Sequence, residues 1–360
     1  MKVIIKTLST SLLLLLVACS NKDNNTLFEG PSNRYLISVG ENYGYIDKDG
    51  IVKIKPQFRY ARHFRSGLAV VGESTDGLKG YIDTTGKVVI GMQFNDAEPF
   101  SEGFAQVKIG NSWGYINRKG KFIVEPKYEQ TFPFSEGLAA VKEKGGGWGF
   151  IDVTGNYMIL PQFDEAESFS NGLAAADGGY ISHDGKKVLK GDYIRTCIFS
   201  EGRALVIFKG IKNGQCSVID TSGNIIISNI NHKGFYNVAF SHNRLPVEGA
   251  NGKGYGYINK NGNFVILPNY DNACSFQEGL ARVCRNDIWG YIDTTGKVII
   301  RHQYTGSSDF REGLALVTTN GYEYKYIDTL GNVVFEFIAD PYFLLIYNLS
   351  FGYPKYDMSL

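Results

Sequence analysis

The sequence predicts an all-β protein built from about nine tandem units of roughly 35 residues, each a three- to four-stranded antiparallel meander. Three observations carry this. An aromatic-Ile-Asp/Asn element recurs from Gly44, Gly80, Gly114, Gly149, Gly179, Ser217, Gly256, Gly290 and Lys325, with gaps of 36, 34, 35, 30, 38, 39, 34 and 35 residues. A second element, Phe-x-x-Gly, interleaves with it from Phe64, Phe100, Phe134, Phe169, Phe199, Phe276 and Phe310, with a degraded copy at Phe240. No helical period persists, and one such unit cannot bury its own apolar face, so neighbours must stack.

The elements follow in chain order. Lys2 and Lys6 precede an apolar stretch from Leu8 to Val17, too short to span a bilayer, which needs about 20 apolar residues. Residues 1–18 therefore read as a leader. Leu16-Val17-Ala18-Cys19 resembles a bacterial lipobox, which implies cleavage before Cys19 and acylation of that residue. Ser20 after the cysteine favours outer-membrane sorting by the same resemblance. Residues 19–34 comprise Cys19 and a stretch whose start, Ser20 to Thr26 ("SNKDNNT"), is polar and reads as a tether. The repeat domain spans 35–337. Its first unit starts at Tyr35 without a preceding Phe-x-x-Gly, and 338–360 form an aromatic closing or capping tail.

Within a unit, Leu138-Ala139-Ala140-Val141 is a short apolar run that suits a strand buried on both faces. Trp148-Gly149-Phe150-Ile151-Asp152 is aromatic and β-branched, hence strand-prone. Asp83 to Lys87, Asn117 to Lys121 and Asp293 to Lys297 are tight turns, with an Asx cap and a glycine free to take positive φ. Val88-Val89-Ile90 begins the next strand, and Pro56, Pro126, Pro161 and Pro268 are expected to end such strands. The polar link to the next Phe has room for a brief fourth strand.

These two interleaved motifs resemble the bacterial WG-repeat family over about residues 35 to 335. That resemblance implies an exported or lipid-anchored β-repeat protein with no general activity assigned. The name-giving Trp stands at Trp113, Trp148 and Trp289; Tyr43, Tyr255 and Tyr324 hold its place elsewhere, whereas Lys79, Gly178 and Cys216 break it. Two architectures fit: a closed β-propeller, the favoured one, and an open β-solenoid with capped ends.

Removing Lys2 and Lys6 leaves 37 − 2 = 35 basic against 36 acidic residues, a balance that argues against a nucleic-acid surface. Cys197, Cys216, Cys274 and Cys284 show no zinc spacing; they read as small buried hydrophobes, with Cys274 and Cys284 close enough in sequence to pair. No nucleophile–base, metal or phosphate motif appears, so no catalytic residue, cofactor or metal is expected. The Glu of Phe-x-Glu-Gly (Glu102, Glu136, Glu201, Glu278, Glu312) reads as a solvated turn residue or a cation-binding ring.

The length variation between Gly179 and Gly254 points to loops 208–215, 229–239 and 247–254 as a recognition surface. The candidate binding residues are Lys209, Lys212, Asn213, Asn251 and Lys253, together with Trp113, Trp148 and Trp289 as sugar-stacking or packing aromatics. The expected function is a non-enzymatic scaffold, anchored in the bilayer through Cys19, that binds another envelope protein. Glycan binding is the alternative, and an enzyme with dispersed carboxylates the remote one.

Overall fold

The computed structural model describes residues 12–13, 32–39, 41–191, 193–210, 215–231, 239–249, 252, 254–321 and 323–338. Nine small antiparallel sheets stand in a ring, forming a nine-bladed β-propeller. Blade 1 comprises Leu12–Leu13, Tyr35–Val39, Asn42–Ile46 and Val52–Phe58. Blades 2 to 9 cover residues 60–94, 96–128, 130–163, 174–190, 193–231, 245–270, 272–304 and 306–338. In a full blade the strands pair in chain order, as in blade 3: Asp96–Ala97, Phe104–Ile109, Ser112–Asn117 and Phe122–Tyr128. The link to the next unit forms the brief strand in most blades, two residues long in five of them and four residues, Tyr193–Thr196, in blade 6. Blades 5 and 7 have three strands.

The second and third strands are buried on both faces, as Leu138–Lys142 and Trp148–Asp152 illustrate. Nine hydrophobic clusters fill the nine junctions between blades. The junction of blade 9 with blade 1 joins Leu314, Leu316, Tyr324 and Tyr326 to Tyr35, Ile37 and Ile46. That cluster closes the ring and excludes the open array. A closed ring leaves no blade with an unpartnered apolar face.

The tyrosine of the aromatic-Ile-Asp element is buried in its unit, and its hydroxyl must be satisfied there. In six blades it donates to a backbone carbonyl 17 residues further on: Tyr45 to Arg62, Tyr81 to Glu98, Tyr115 to Phe132, Tyr180 to Cys197, Tyr257 to Cys274 and Tyr291 to Ser308, at 2.6–2.8 Å. Burial raises these phenols well above their usual range, so they remain donors. The Phe of Phe-x-x-Gly packs on the same ring, as Phe64 does on Tyr45 with centroids 4.7 Å apart.

The glycine before that tyrosine has a separate cause. A Cβ on Gly44, Gly80, Gly114, Gly149, Gly256 or Gly290 would lie 2.4–2.7 Å from a carbonyl oxygen of the fourth strand. There the fourth strand bulges: Trp113 pairs with Tyr128 but Tyr115 with Val124, so two extra residues ride over Gly114. Pro56, Pro126, Pro161 and Pro268 sit inside this bulge, within Val52–Phe58, Phe122–Tyr128, Tyr157–Phe163 and Phe264–Tyr270. The expectation that these prolines end their strands is therefore corrected. Bulges on edge strands accept proline because they do not require its missing N–H. Blade 9 carries Lys325 in the glycine place, and its fourth strand runs straight there, with Lys325 opposite Glu336.

Candidate functional site

Phe-Ser-Glu-Gly-Leu folds as a two-residue hairpin turn. Ser101 and Phe104 exchange backbone hydrogen bonds, and both central residues take positive φ: Glu102 at 50° and Gly103 at 85°. The same holds at Ser66, Glu136, Asn171, Glu201, His242, Glu278 and Glu312. Left-handed backbone is unfavourable for glutamate. Its compensation lies in the neighbouring blade. The Glu102 carboxylate accepts the N–H groups of Glu136 and Gly137 at 2.8 and 2.9 Å. Glu136 accepts from Gly172, Asn171 from Gly202, Glu201 from Asn243, and Glu278 from Glu312 and Gly313. Glu312 accepts from Ser32 and Asn33 of blade 1.

Three junctions lack this acceptor, and there an arginine reverses the polarity. Arg34 of blade 1 donates to the Thr84 carbonyl of blade 2 at 2.8 Å, Arg118 of blade 3 to Ser66 of blade 2 at 2.5 Å, and Arg244 of blade 7 to Thr294 of blade 8 at 3.1 Å. All nine junctions are thus clamped on one face of the ring. The recurrent glutamates are neither idle turn residues nor a cation ring; they are inter-blade acceptors. In blade 1, which has no Phe-x-x-Gly motif, Ser32, Asn33 (φ 46°) and Arg34 occupy the places of Glu201, Gly202 and Arg203.

The second-to-third-strand connections lie at the opposite end of the blades. Among the described residues three are two-residue turns, at 110–111, 177–178 and 286–287. Blades 6 and 7 are neighbours and carry six-residue connections, 209–214 and 249–254. Blade 2 also has six, at 73–78, but that loop folds over a buried cation: Lys79 Nζ donates to the carbonyls of Ser74, Thr75 and Gly77 at 2.5–3.0 Å. Lys79 thereby fills the Trp place, beneath the Tyr60 ring at 4.6 Å.

The expected binding residues divide accordingly. Trp148 and Trp289 are buried, 7% and 4% exposed, in the clusters of junctions 4/5 and 8/9. Trp148 packs on Phe132 and Trp289 under Arg282, so neither is a surface platform. Trp113 is half-buried with Lys108 Nζ 5.7 Å from its ring. Lys209 is exposed on the loop face. Lys212, Asn213, Asn251, Lys253 and Cys19 lie outside the described residues, as do parts of loops 208–215, 229–239 and 247–254. Cys197, Cys216, Cys274 and Cys284 are free thiols. Burial pushes the first two up to about 12 and the last two to about 11. Among the described residues no group of three or more His, Cys, Asp and Glu is placed to hold a metal ion, and no helix is long and apolar enough to cross a membrane.

The family model for the WG containing repeat matches residues 43–73, 80–113, 113–146, 148–176, 255–287 and 289–322, more than half of the chain. The chain belongs to the WG-repeat family. The internal unmatched stretch 177–254 holds most of blade 5, blade 6 and the start of blade 7, where Gly178 and Cys216 stand in the Trp place. A search of curated proteins gives no match. Among solved structures, this WG-repeat protein is similar to the computationally designed Ika8 protein (12% identity, 92% of this chain and 100% of that one, TM-score 0.40). It is also similar to BamB from Moraxella catarrhalis (11%, 89% and 98%, TM-score 0.41) and to the dihydro-heme d1 dehydrogenase NirN (12%, 92% and 78%, TM-score 0.49).

Proposed function

We propose that this WG-repeat protein is a non-enzymatic interaction scaffold, held at the outer membrane of a bacterial envelope by an acylated Cys19, that binds another envelope protein through its loop face. The observation that carries this reading is the division of labour between the two faces. On the clamp face the recurrent polar side chains are engaged in joining blades. On the loop face the connections vary from two to six residues between blades, and the neighbouring blades 6 and 7 both carry long ones. In a repeat array, insertions map to loops on one face, often the binding face. Glycan binding is the second reading, and Trp113, half-buried where Trp148 and Trp289 are buried, is the tryptophan that favours it.

The test is a crosslinking pull-down from intact envelope with tagged protein, quantified against a Cys19→Ala control and against a variant in which a two-residue turn replaces each of 209–214 and 249–254. A near-stoichiometric protein partner lost in both supports the scaffold. A partner retained by the loop variant overturns the face assignment. No partner, with titratable binding of cell-wall sugars lost in Trp113→Ala, supports the glycan reading instead.

A further inference from the structure

We propose that the clamp face of blades 1 to 3 rests on an anionic lipid surface, with its exposed lysines among the headgroups, the apolar side chains beside them in the interface, and the loop face turned toward water. The turns between third and fourth strands lie on the clamp face, because the strand residues next to the Phe-x-x-Gly turns pair with the residues that open them: Leu68 with Asp83 and Leu138 with Asp152. In blades 1 to 3 these turns and the strands they lead into carry Lys48, Lys53, Lys87, Lys119 and Lys121, all exposed. Among the described residues Lys53 is the one of the five with an ion pair, to Asp47 at 2.9 Å.

The carboxylates of this arc are turned inward. Asp47 accepts the N–H groups of Asp49 and Ile51, Asp83 those of Thr85 and Lys87, and Glu102 those of Glu136 and Gly137. All three are buried or half-buried, and Asp49 is the exposed carboxylate among the described residues of these turns. The other blades differ. Asn156, Asn224, Asn263 and Asn332 close the turns of blades 4, 6, 7 and 9, where Lys87 and Lys121 close those of blades 2 and 3. Lys186 of blade 5 is held by Asp184 and Lys260 of blade 7 by Glu201. Lys297 of blade 8 extends the basic arc beyond blade 9, whose turn exposes Leu330 instead.

The same arc exposes apolar side chains next to its lysines: Ile51 and Val52 in blade 1, Val88 and Val89 in blade 2, each 41–55% exposed. Ile225 and Phe264 are exposed at this end of blades 6 and 7 as well, but asparagines close the turns there. Basic and apolar side chains side by side suit the boundary of headgroups and acyl chains, where apolar burial and attraction to anionic lipid add. A dissolved polyanion would use the lysines and leave the apolar side chains wet. The chain also enters the ring on this face: Ser32 donates to Glu312, and Arg34 reaches Thr84 of blade 2. An acyl anchor ahead of Ser32 therefore draws this face toward the bilayer. That orientation rests on the anchored reading proposed above; the charge pattern stands without it.

The test is vesicle co-sedimentation of the chain from residue 20, which keeps all nine junction clusters, since none draws on a residue before Tyr35. Vesicles of phosphatidylcholine and phosphatidylglycerol, mixed two to one, are compared with phosphatidylcholine alone. Each lysine near an anionic surface is worth about five-fold in partitioning, so Lys87→Glu, Lys119→Glu and Lys121→Glu together should weaken binding to the mixed vesicles by about ten-fold or more. The matched change on the loop face, Lys127→Glu, Lys142→Glu and Lys144→Glu, should weaken it by less than about three-fold, because those sites lie beyond the Debye length of the surface. Val88→Ser with Val89→Ser keeps the charge and should weaken binding by about three-fold or more. No binding to the mixed vesicles, equal binding to both kinds, or equal loss in the two charge variants overturns the proposal. An oligodeoxynucleotide bound as tightly by the same lysines, with no effect of the two valines, overturns the lipid assignment. This chain carries no acyl group, so failure here leaves the anchor to be judged by the Cys19→Ala comparison.

Discussion

Replacing Gly114 by alanine tests the account of the repeat directly. The added Cβ would lie 2.5 Å from the Val124 oxygen, 2.7 Å from the Pro126 nitrogen and 2.9 Å from the Glu125 carbonyl carbon, all backbone atoms. Ordinary contact begins near 3.4 Å, so the fourth strand of blade 3 must retreat by 3.4 − 2.5 = 0.9 Å. That strand is fixed by its pairing at both ends, Trp113 with Tyr128 and Ile116 with Phe122, and cannot slide without breaking the bulge. Overpacking of this kind costs about 3 kcal/mol, the upper end of its usual range, because no flexible side chain absorbs it. Urea unfolding followed by tryptophan fluorescence measures the change, with Gly91→Ala as the comparison. Gly91 has open space around its missing Cβ and no positive φ. Alanine there should be neutral or stabilise by up to about 1 kcal/mol through the unfolded chain. Equal stability of the two variants, within about 0.5 kcal/mol, would refute the steric reading of the Trp-Gly motif.

Two further predictions concern the clamps and the acid limb. Glu312→Ala removes a half-buried carboxylate that accepts the N–H groups of Ser32 and Asn33, so it should cost about 2–3 kcal/mol in the same assay. Hydrogen exchange should show the loss concentrated at the junction of blades 9 and 1, and uniform deprotection of all blades would contradict the local clamp. His63 is held down to about 3 by burial and then by the Arg311 and Arg65 guanidiniums. The unfolded chain takes up its proton near pH 6.5 and the folded chain does not, so stability rises with pH between about 3 and 6.5 and is lost on acidification. Because His63 is half-buried, about half of the limiting 1.4 kcal/mol per pH unit is expected, and His63→Gln should flatten the stability curve between about pH 6.5 and 4.5 by that amount.

Much of the architecture was legible because the chain repeats itself. A period near 35, apolar runs four or five residues long and Asx-x-x-Gly turns dictate a β meander, since strand propensity and turn chemistry are local properties. The same reading placed the prolines at strand ends, and it left the glutamates of Phe-x-Glu-Gly as surface residues or a cation ring. Neither error was avoidable from one unit's sequence. A bulge depends on what the adjacent strand does, and a clamp depends on a turn some 35 residues away, on the next blade.

The candidate binding surface was partly legible. Loop length pointed to blades 6 and 7, because irregularity in a repeat is visible in the count alone. The tryptophans misled, because equivalent positions in a repeat differ in burial according to what stands beside them. Trp148 meets Phe132 and is covered, whereas Trp113 keeps a wet edge beside Lys108.

By itself, then, the sequence determined the strands, their turns and their number, because each unit is specified by its own short-range pattern. Closure into a ring of nine, the fit of each glycine beneath a bulge, and the alternation of glutamate and arginine clamps were decided by tertiary structure. They depend on the angle at which one blade meets the next. That angle is summed over nine junctions and set by side chains such as Leu316, Tyr326 and Ile37, far apart in the chain and in contact only once the circle is complete.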